Sequence, residues 1–326
     1  MKAPDISVIM PFHNAEEYIA RAIESVLKSN HESIELILVD DGSLDNSAKI
    51  CLAFAEKDER VRTVKNEGHG VSAARNTGID LAMGEFIAFA DADDEVYKNM
   101  YANMLKKARE ERADIVQCAT VLKDKNREKV LFSPRKDITY ENGDGARTLA
   151  KYFSNSCWSK IYRKSSLGHI RFDESISVGE DLYYNLLAMS ICNRAVFLKE
   201  AHYKYVQQRT SVMNTLIESC RLDALYTVLQ RAQGHFASFP DLSVFIELAI
   251  IRNIAHVLSL TAGKNDRYCK EMFAKSRKSA KKILPKILFF PHASLKNKIS
   301  ITFAVLAPKI YEAIALRKRK DEARFN

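Results

Sequence analysis

Ile34-Glu35-Leu36-Ile37-Leu38-Val39-Asp40-Asp41-Gly42-Ser43 is the stretch on which the reading of the fold turns. Its first six residues read as a buried strand, and the acidic, glycine-containing end is a turn cluster that cannot continue it. Working outward, Ile6-Ser7-Val8-Ile9-Met10 predicts an earlier strand ending at Pro11. Asn14, with Glu17 three residues on, reads as a helix N-cap with a capping box. Tyr18, Ile19, Ala22, Ile23, Val26 and Leu27 then follow at helical spacing. Downstream, the pattern predicts a helix over 46–57, a strand over 61–64, a helix over 71–82 and a strand over 85–90 that runs into Asp91-Ala92-Asp93-Asp94. Such alternation argues for a parallel sheet with helices on both faces. In these sheets ligands bind at the carboxyl ends of strands, where both acidic clusters fall.

Beyond Tyr97 the pattern is more mixed. A charged helix over 97–112 leads to a strand over 114–120, and the polar stretch 123–142 reads as a hairpin or loop. Cys157-Trp158-Ser159-Lys160-Ile161-Tyr162 follows, and Gly179-Glu180-Asp181 opens an apolar helix through Ile191. After about Thr215 the chain reads as all-helical.

The chain has 326 residues, 47% hydrophobic and 28% charged. This excludes a disordered chain, a collagen-like repeat and a small disulfide scaffold, and the length suggests two domains. The net charge is +9, and it is unevenly placed. Residues 264–326 hold 17 Lys+Arg against 5 Asp+Glu, leaving 33 against 36 in the preceding 263 residues. The six cysteines stand at least 28 positions apart, so they form no zinc spacing and read as core thiols in a reducing compartment. A strand begins almost at once and no uncharged run has the length of a membrane span. A cytoplasmic protein that touches a membrane without crossing it is expected.

Asp91, Asp93 and Asp94 place three carboxylates within four residues. They repel one another unless a cation is present, and hard oxygen ligands suit Mg²⁺ or Mn²⁺ held with a diphosphate. The ordinary alternative is a solvated acidic turn capping a helix. Asp40-Asp41 is either an Asp-Gly turn or an acceptor for a nucleotide base or ribose. Gly68-His69-Gly70-Val71-Ser72-Ala73 has the form G-x-G-x-x-A, yet it follows the third strand rather than the first, so a dinucleotide role is not expected. Arg75 reads as a diphosphate or base contact, or as a surface helix arginine. Glu180-Asp181 is a helix start favoured by the dipole, or contains a general base. Trp158 is core or a sugar platform.

Taken together these residues resemble family 2 glycosyltransferases, inverting enzymes of the GT-A fold. The similar stretches are Ile6–Asn14, Glu17–Ile19, Ala22–Leu27, Val39–Asp45, Asn66–Gly78 and Gly84–Asp94. A looser match runs from Trp158-Ser159-Lys160-Ile161-Tyr162 through Gly179-Glu180-Asp181 to Tyr203-x-Tyr205, similar to the acceptor half of bacterial capsule, lipooligosaccharide and exopolysaccharide enzymes.

The resemblance implies a Rossmann-like, mostly parallel sheet with helices on both faces, followed by a C-terminal helical region. It implies a glycosyltransferase domain over 1–215, with a nucleotide-sugar half (1–95) and an acceptor half (96–215), and a helical basic region over 216–326. Pro11, Asp41, Asn66 and Arg75 would line the donor pocket, with Asp41 accepting from uracil and Asp91 near the ribose or metal. Asp93 would be the principal ligand of Mn²⁺ or Mg²⁺, Asp181 the base, and Trp158 and Glu180 would lie on the acceptor side. Phe12-His13 departs from the family's usual pair.

Expected partners are a nucleotide-sugar donor, a saccharide or lipid-linked acceptor and an anionic membrane met by the basic tail; no nucleic acid is expected. The competing classes are a sugar nucleotidyltransferase and a non-catalytic scaffold of the same fold.

Overall fold

Every residue of strand β1 (Ile6–Phe12) is buried, so the strand must be covered on both faces. Side chains alternate across a strand, and the two faces of β1 meet different helices. Ile6, Val8 and Met10 join a core with Ile19, Ala22, Ile23 and Val26 of α1 (Ile19–Leu27) and with Met100, Met104 and Leu105 of α4 (Met100–Glu110). Ile9 points the other way, toward Gly78 of α3 (Val71–Leu81). The computed structural model describes residues 3–124, 127–141, 146–206, 224–289 and 293–324. The chain divides into two units, Met1–Gln208 and Arg209–Asn326. The boundary expected at 215/216 lies outside the described residues.

In the first unit β1 lies between β2 (Ile34–Asp40) and β4 (Phe86–Phe89), parallel to both, and β2 is parallel to β3 (Val61–Lys65). Helix α2 (Ser47–Ala55) joins β2 to β3. This is the alternation expected from the sequence. The rest of the sheet is mixed. It adds β5 (Glu95–Val96), β6 (Ile115–Asp124), β7 (Arg127–Leu131), β8 (Ile138–Glu141), β9 (Lys160–Arg163) and β10 (Arg194–Val206). The order is β3-β2-β1-β4-β9-β6-β10-β5, with β7 on β6 and β8 on β10. β9 runs antiparallel to both β4 and β6, while β6 and β10 are parallel. The polar stretch read as a hairpin or loop contains β7, which pairs antiparallel with β6, and β8, which pairs with β10. Helices α5 (Ala146–Tyr152), α6 (Lys164–Leu167) and α7 (Glu180–Ile191) complete the unit.

Pro11 is compatible with a central strand because of where β4 ends. Ile9 O accepts from Ala90 N and Phe12 O from Asp41 N, so Pro11 turns its missing N–H toward the β4 side, just where β4 leaves the ladder. Asn14 corrects a sequence expectation. Helix α1 begins at Ile19 with Tyr18 at its N-cap and no side-chain capping bond. Asn14 sits instead at φ 50°, accepts from Leu44 N at 2.8 Å, and donates its own N–H to Ser43 Oγ at 3.1 Å. It ties the loop after β1 to the loop after β2.

The second unit is helical: α8 (Ala224–His235), α9 (Pro240–Thr261), α10 (Arg267–Phe289), α11 (Leu295–Leu306) and α12 (Pro308–Arg324). Helix α9 packs against α8, α10 and α11. It is 22 residues long and apolar enough to cross a membrane, yet 61% of its apolar window is buried within the protein, as in the central helix of a bundle. The five described cysteines are buried; Cys220 lies outside the described residues.

A Cβ on Gly78 would stand 2.3 Å from Ile9 Cγ2, so the helix–sheet contact admits only glycine. Gly78→Ala is expected to lower stability in urea by about 1–3 kcal/mol. Gly234→Ala, where a Cβ meets nothing within 4 Å, is expected to be neutral or stabilising.

Candidate active site

The carboxyl end of β2 carries Asp41, and its Oδ1 accepts from Asn66 Nδ2 at 2.8 Å and from Gly70 N at 3.0 Å. This joins the ends of β2 and β3 to the loop before α3. Asn66 is 5% exposed and its Oδ1 accepts from Thr77 Oγ1 at 3.2 Å and Gly68 N at 3.3 Å. The glycines of the G-x-G-x-x-A stretch have structural reasons. Gly70 has φ 89°, and a Cβ on Gly68 would lie 2.7 Å from Ala73 Cβ. His13, the departure from the family pattern, sits on the same cluster: its Nδ1 is 2.9 Å from Asp41 O, and Asn14 Nδ2 is 3.1 Å from its Nε2. A carbonyl only accepts and an amide NH₂ only donates, so Nδ1 is the donor side and Nε2 the acceptor side of this contact. His69 is exposed.

Strand β4 delivers the second acidic cluster. Asp91, Asp93 and Asp94 offer oxygens within 4.8 Å of one another. Asp94 is 2% exposed; its Oδ2 accepts from Tyr203 Oη at 2.8 Å and its Oδ1 from Val206 N at 2.8 Å. Burial, then the charges of Asp91 and Asp93, push Asp94 up to about 9. Burial pushes Asp91 up to about 7 against the opposing pull of Arg75, and burial also raises Asp93. Asp94 is committed to β10, so Asp91 and Asp93 carry the freer oxygens. These are hard donors in the number and spacing that fit a small divalent cation such as Mg²⁺ or Mn²⁺.

Arg75 connects this cluster to the second half of the unit. It is 4% exposed, which excludes the surface-arginine reading. Its Nη1 donates to Asp181 Oδ1 at 2.6 Å and Glu180 Oε1 at 3.1 Å, and its Nη2 reaches Asp91 Oδ1 at 3.5 Å. The guanidinium lies 5.2 Å over the ring of Phe172, which stacks on Tyr184 of α7. Its Nε is buried without a partner among the described residues. Gly179, with φ 88°, turns the chain so that Glu180 and Asp181 form the first turn of α7. Burial, then Asp181, raises the Glu180 carboxyl.

Trp158 is 8% exposed and stacks on Tyr203 and Tyr205, so by burial it is a core side chain. Sequence reasoning missed two supports. Tyr203 Oη accepts from Asp91 N at 3.2 Å while holding Asp94. Lys160 is fully buried, and its Nζ donates to Ser154 O and Ser156 O, fixing the segment before Cys157. Cys157 N donates to Asp181 Oδ2 at 3.0 Å. Burial pulls Lys160 down to about 7. Only the Tyr203-x-Tyr205 and Trp158-x-Lys160 spacings hinted at these roles.

This sheet and its strand-end acids define a GT-A fold. The family described as "Glycosyl transferase family 2" matches residues 7–171, and the chain belongs to it. The glycosyltransferase GlyA of Streptococcus pneumoniae is 28% identical over 280 residues, covering 79% of this chain and 39% of GlyA. EpsJ of Bacillus subtilis, an uncharacterized glycosyltransferase, is 32% identical over 221 residues, covering 64% of this chain and 63% of EpsJ. The chain thus matches less than two thirds of the length of either relative. Among solved structures, residues 1–349 of Staphylococcus aureus TarS in complex with UDP-GlcNAc share the fold at a TM-score of 0.69, with 18% identity, over 97% of this chain and 92% of that one.

Asp91 gives a pH test. A folded-state value near 7, against about 3.9 for a free aspartate, means the folded chain holds a proton that the unfolded chain releases. The contribution of Asp91 to stability therefore falls as pH rises from about 4 to about 7. In metal-free buffer, Asp91→Asn is expected to be more stable than the parent above pH 7 by about 1 kcal/mol or more, with the difference vanishing near pH 4. Equal urea midpoints at pH 8 would contradict this.

Proposed function

We propose that the protein is an inverting glycosyltransferase. It moves a sugar from a nucleotide-sugar donor, UDP-linked, to a saccharide or lipid-linked acceptor in bacterial surface polysaccharide synthesis. The observation that carries this reading is that Asp91 and Asp181, from distant parts of the chain, meet on the single guanidinium of Arg75. That convergence supports reading Asp181 as a base that works beside the strand-end acids.

Each residue has a role in this reading. Asp41 spends Oδ1 on Asn66 and Gly70, leaving Oδ2 to accept an N–H of the uracil, with Pro11 and Asn66 as walls. Arg75 and Asp91 border the donor, and Asp93 with Asp91 would hold Mn²⁺ or Mg²⁺. Such a cation, when bound, neutralises the charge that builds on a departing diphosphate. Asp181 is held by Arg75 on one oxygen and Cys157 N on the other, so its orientation is fixed before substrate arrives. It takes the acceptor hydroxyl proton as that oxygen attacks the anomeric carbon from the face opposite the leaving group. A single displacement inverts the centre, so an α-linked donor yields a β-linkage. Glu180 borders the acceptor side. Trp158, stacked on Tyr203 and Tyr205, supports that side from beneath.

The basic C-terminal region holds the enzyme at the inner face of the cytoplasmic membrane, where a lipid-linked acceptor is within reach. A sugar nucleotidyltransferase would need a Gly-rich phosphate loop after β1, and Pro11-Phe12-His13-Asn14 stands there. A non-catalytic scaffold would not hydrolyse a sugar nucleotide slowly in the presence of metal, as a transferase does.

Asp181→Asn is expected to lower transfer by roughly 10²–10⁴-fold, the usual size of general-base catalysis, while donor binding persists. Full transfer by this variant would end the base assignment. In a thermal-shift panel of sugar nucleotides with Mn²⁺, a UDP-sugar at a hundredfold excess over its Kd is expected to add about 2.7 kcal/mol of apparent stability. Asp93→Ala is expected to remove the Mn²⁺-dependent part of that shift, and a flat response across all UDP-sugars would remove the donor assignment.

A further inference from the structure

Helix α11 is apolar on two sides, and the protein covers only one of them. Ile301, Ala304 and Val305 are buried, where α11 packs among α9, α10 and α12. Leu295, Ile299, Phe303 and Leu306 are 72%, 50%, 45% and 71% exposed. Their spacings of four, four and three residues put them on one stripe, turned away from the buried side. Helix α12 adds Ile310 and Ile314, one turn apart and each 56% exposed. Lys298 Nζ donates to Leu288 O at 3.1 Å, which sets the end of α10, with Phe289 87% exposed, beside the start of this stripe. An apolar surface of this extent marks an interaction site.

The charge around it says what covers it. Between Glu271 and Glu312 there is no acidic residue, while the same stretch holds nine Lys+Arg. Lys296 and Lys309, flanking the stripe, are exposed. A nucleic acid would answer the lysines but not the aliphatic stripe. A second copy would answer the stripe but set lysine against lysine. A bilayer with anionic headgroups answers both, taking the apolar side chains at the acyl boundary and the ammonium groups at the phosphates.

We propose that the exposed stripe of α11, continued by Ile310 and Ile314, is the surface on which this protein docks to an anionic lipid bilayer. This rests on the membrane reading above and deepens it. Segments 281–290 and 310–320 mix cationic and apolar residues in the sequence, but exposure puts the apolar wedge chiefly on α11.

The test is co-sedimentation of the full chain with vesicles of phosphatidylcholine alone or mixed with phosphatidylglycerol. The expected result is binding to the mixed vesicles that weakens with salt. The pairs Ile299→Ser with Phe303→Ser, and Lys296→Glu with Lys309→Glu, are each expected to weaken it roughly tenfold or more, with the melting temperature unchanged. If the serine pair melts early, the glutamate pair carries the test. Variants that bind like the parent would overturn the docking face while leaving the basic-tail reading standing. A parent chain that binds no mixed vesicle would overturn both. A parent dimer in light scattering that the serine pair dissociates, with no vesicle binding, would make a second copy the occupant and overturn the proposal.

Discussion

Arg75 is almost entirely removed from water and faces Asp91, Glu180 and Asp181 within 3.5 Å. Burying an unpaired guanidinium costs several kcal/mol, so the site around it exists only because carboxylates from two distant segments converge there. The convergence fixes three elements at once. Helix α3 supplies the arginine, the turn after β4 supplies Asp91, and the first turn of α7 supplies Glu180 and Asp181. Asn76, the next residue, reinforces the joint by exchanging hydrogen bonds with the backbone of Phe172, whose ring lies under the guanidinium.

The same arrangement leaves a charge imbalance. One cation meets three acids, and Asp93 and Asp94 stand close by. Burial is the largest cause of the upward displacement of Asp91, Asp93, Asp94 and Glu180, and for Asp91, Asp94 and Glu180 the neighbouring acids add to it. Packing alone would not maintain such a cluster, since neutral residues of similar volume would fold more easily. Strain of this kind gathers where a protein binds a cation or performs proton transfer.

The strands β1, β2 and β4 were legible because each is an apolar run closed by a turn cluster, and the α7 start was legible from Gly179 and the acids after it. What escaped depended on pairing across long separations. Nothing local says that β9 inserts antiparallel between β4 and β6, or that Glu95–Val96 pairs with β10. Asn14 carried a capping-box pattern, but two hydrogen bonds to the loop at Ser43–Leu44 and a left-handed backbone served it better. Asp94 was visible as an acid, yet its commitment to Tyr203, 109 residues away, was not. Lys160 stood in a recognisable motif, but its structural task follows only from its complete burial against backbone carbonyls.

Charge placement along the chain follows from these constraints. The first 263 residues carry 33 basic and 36 acidic groups, so the part of the chain that holds the acidic cluster is close to neutral. A strongly cationic first unit would offer other partners to the acids that Arg75 must hold, and would weaken their hold on a divalent ion. Excess positive charge is therefore better carried elsewhere, and the Lys+Arg excess lies beyond residue 263, in the helical unit. There it surrounds exposed aliphatic side chains rather than a crevice. Screening limits the reach of such charges to about 10 Å at ordinary ionic strength, so the basic side chains of the helical unit act on what lies directly against them.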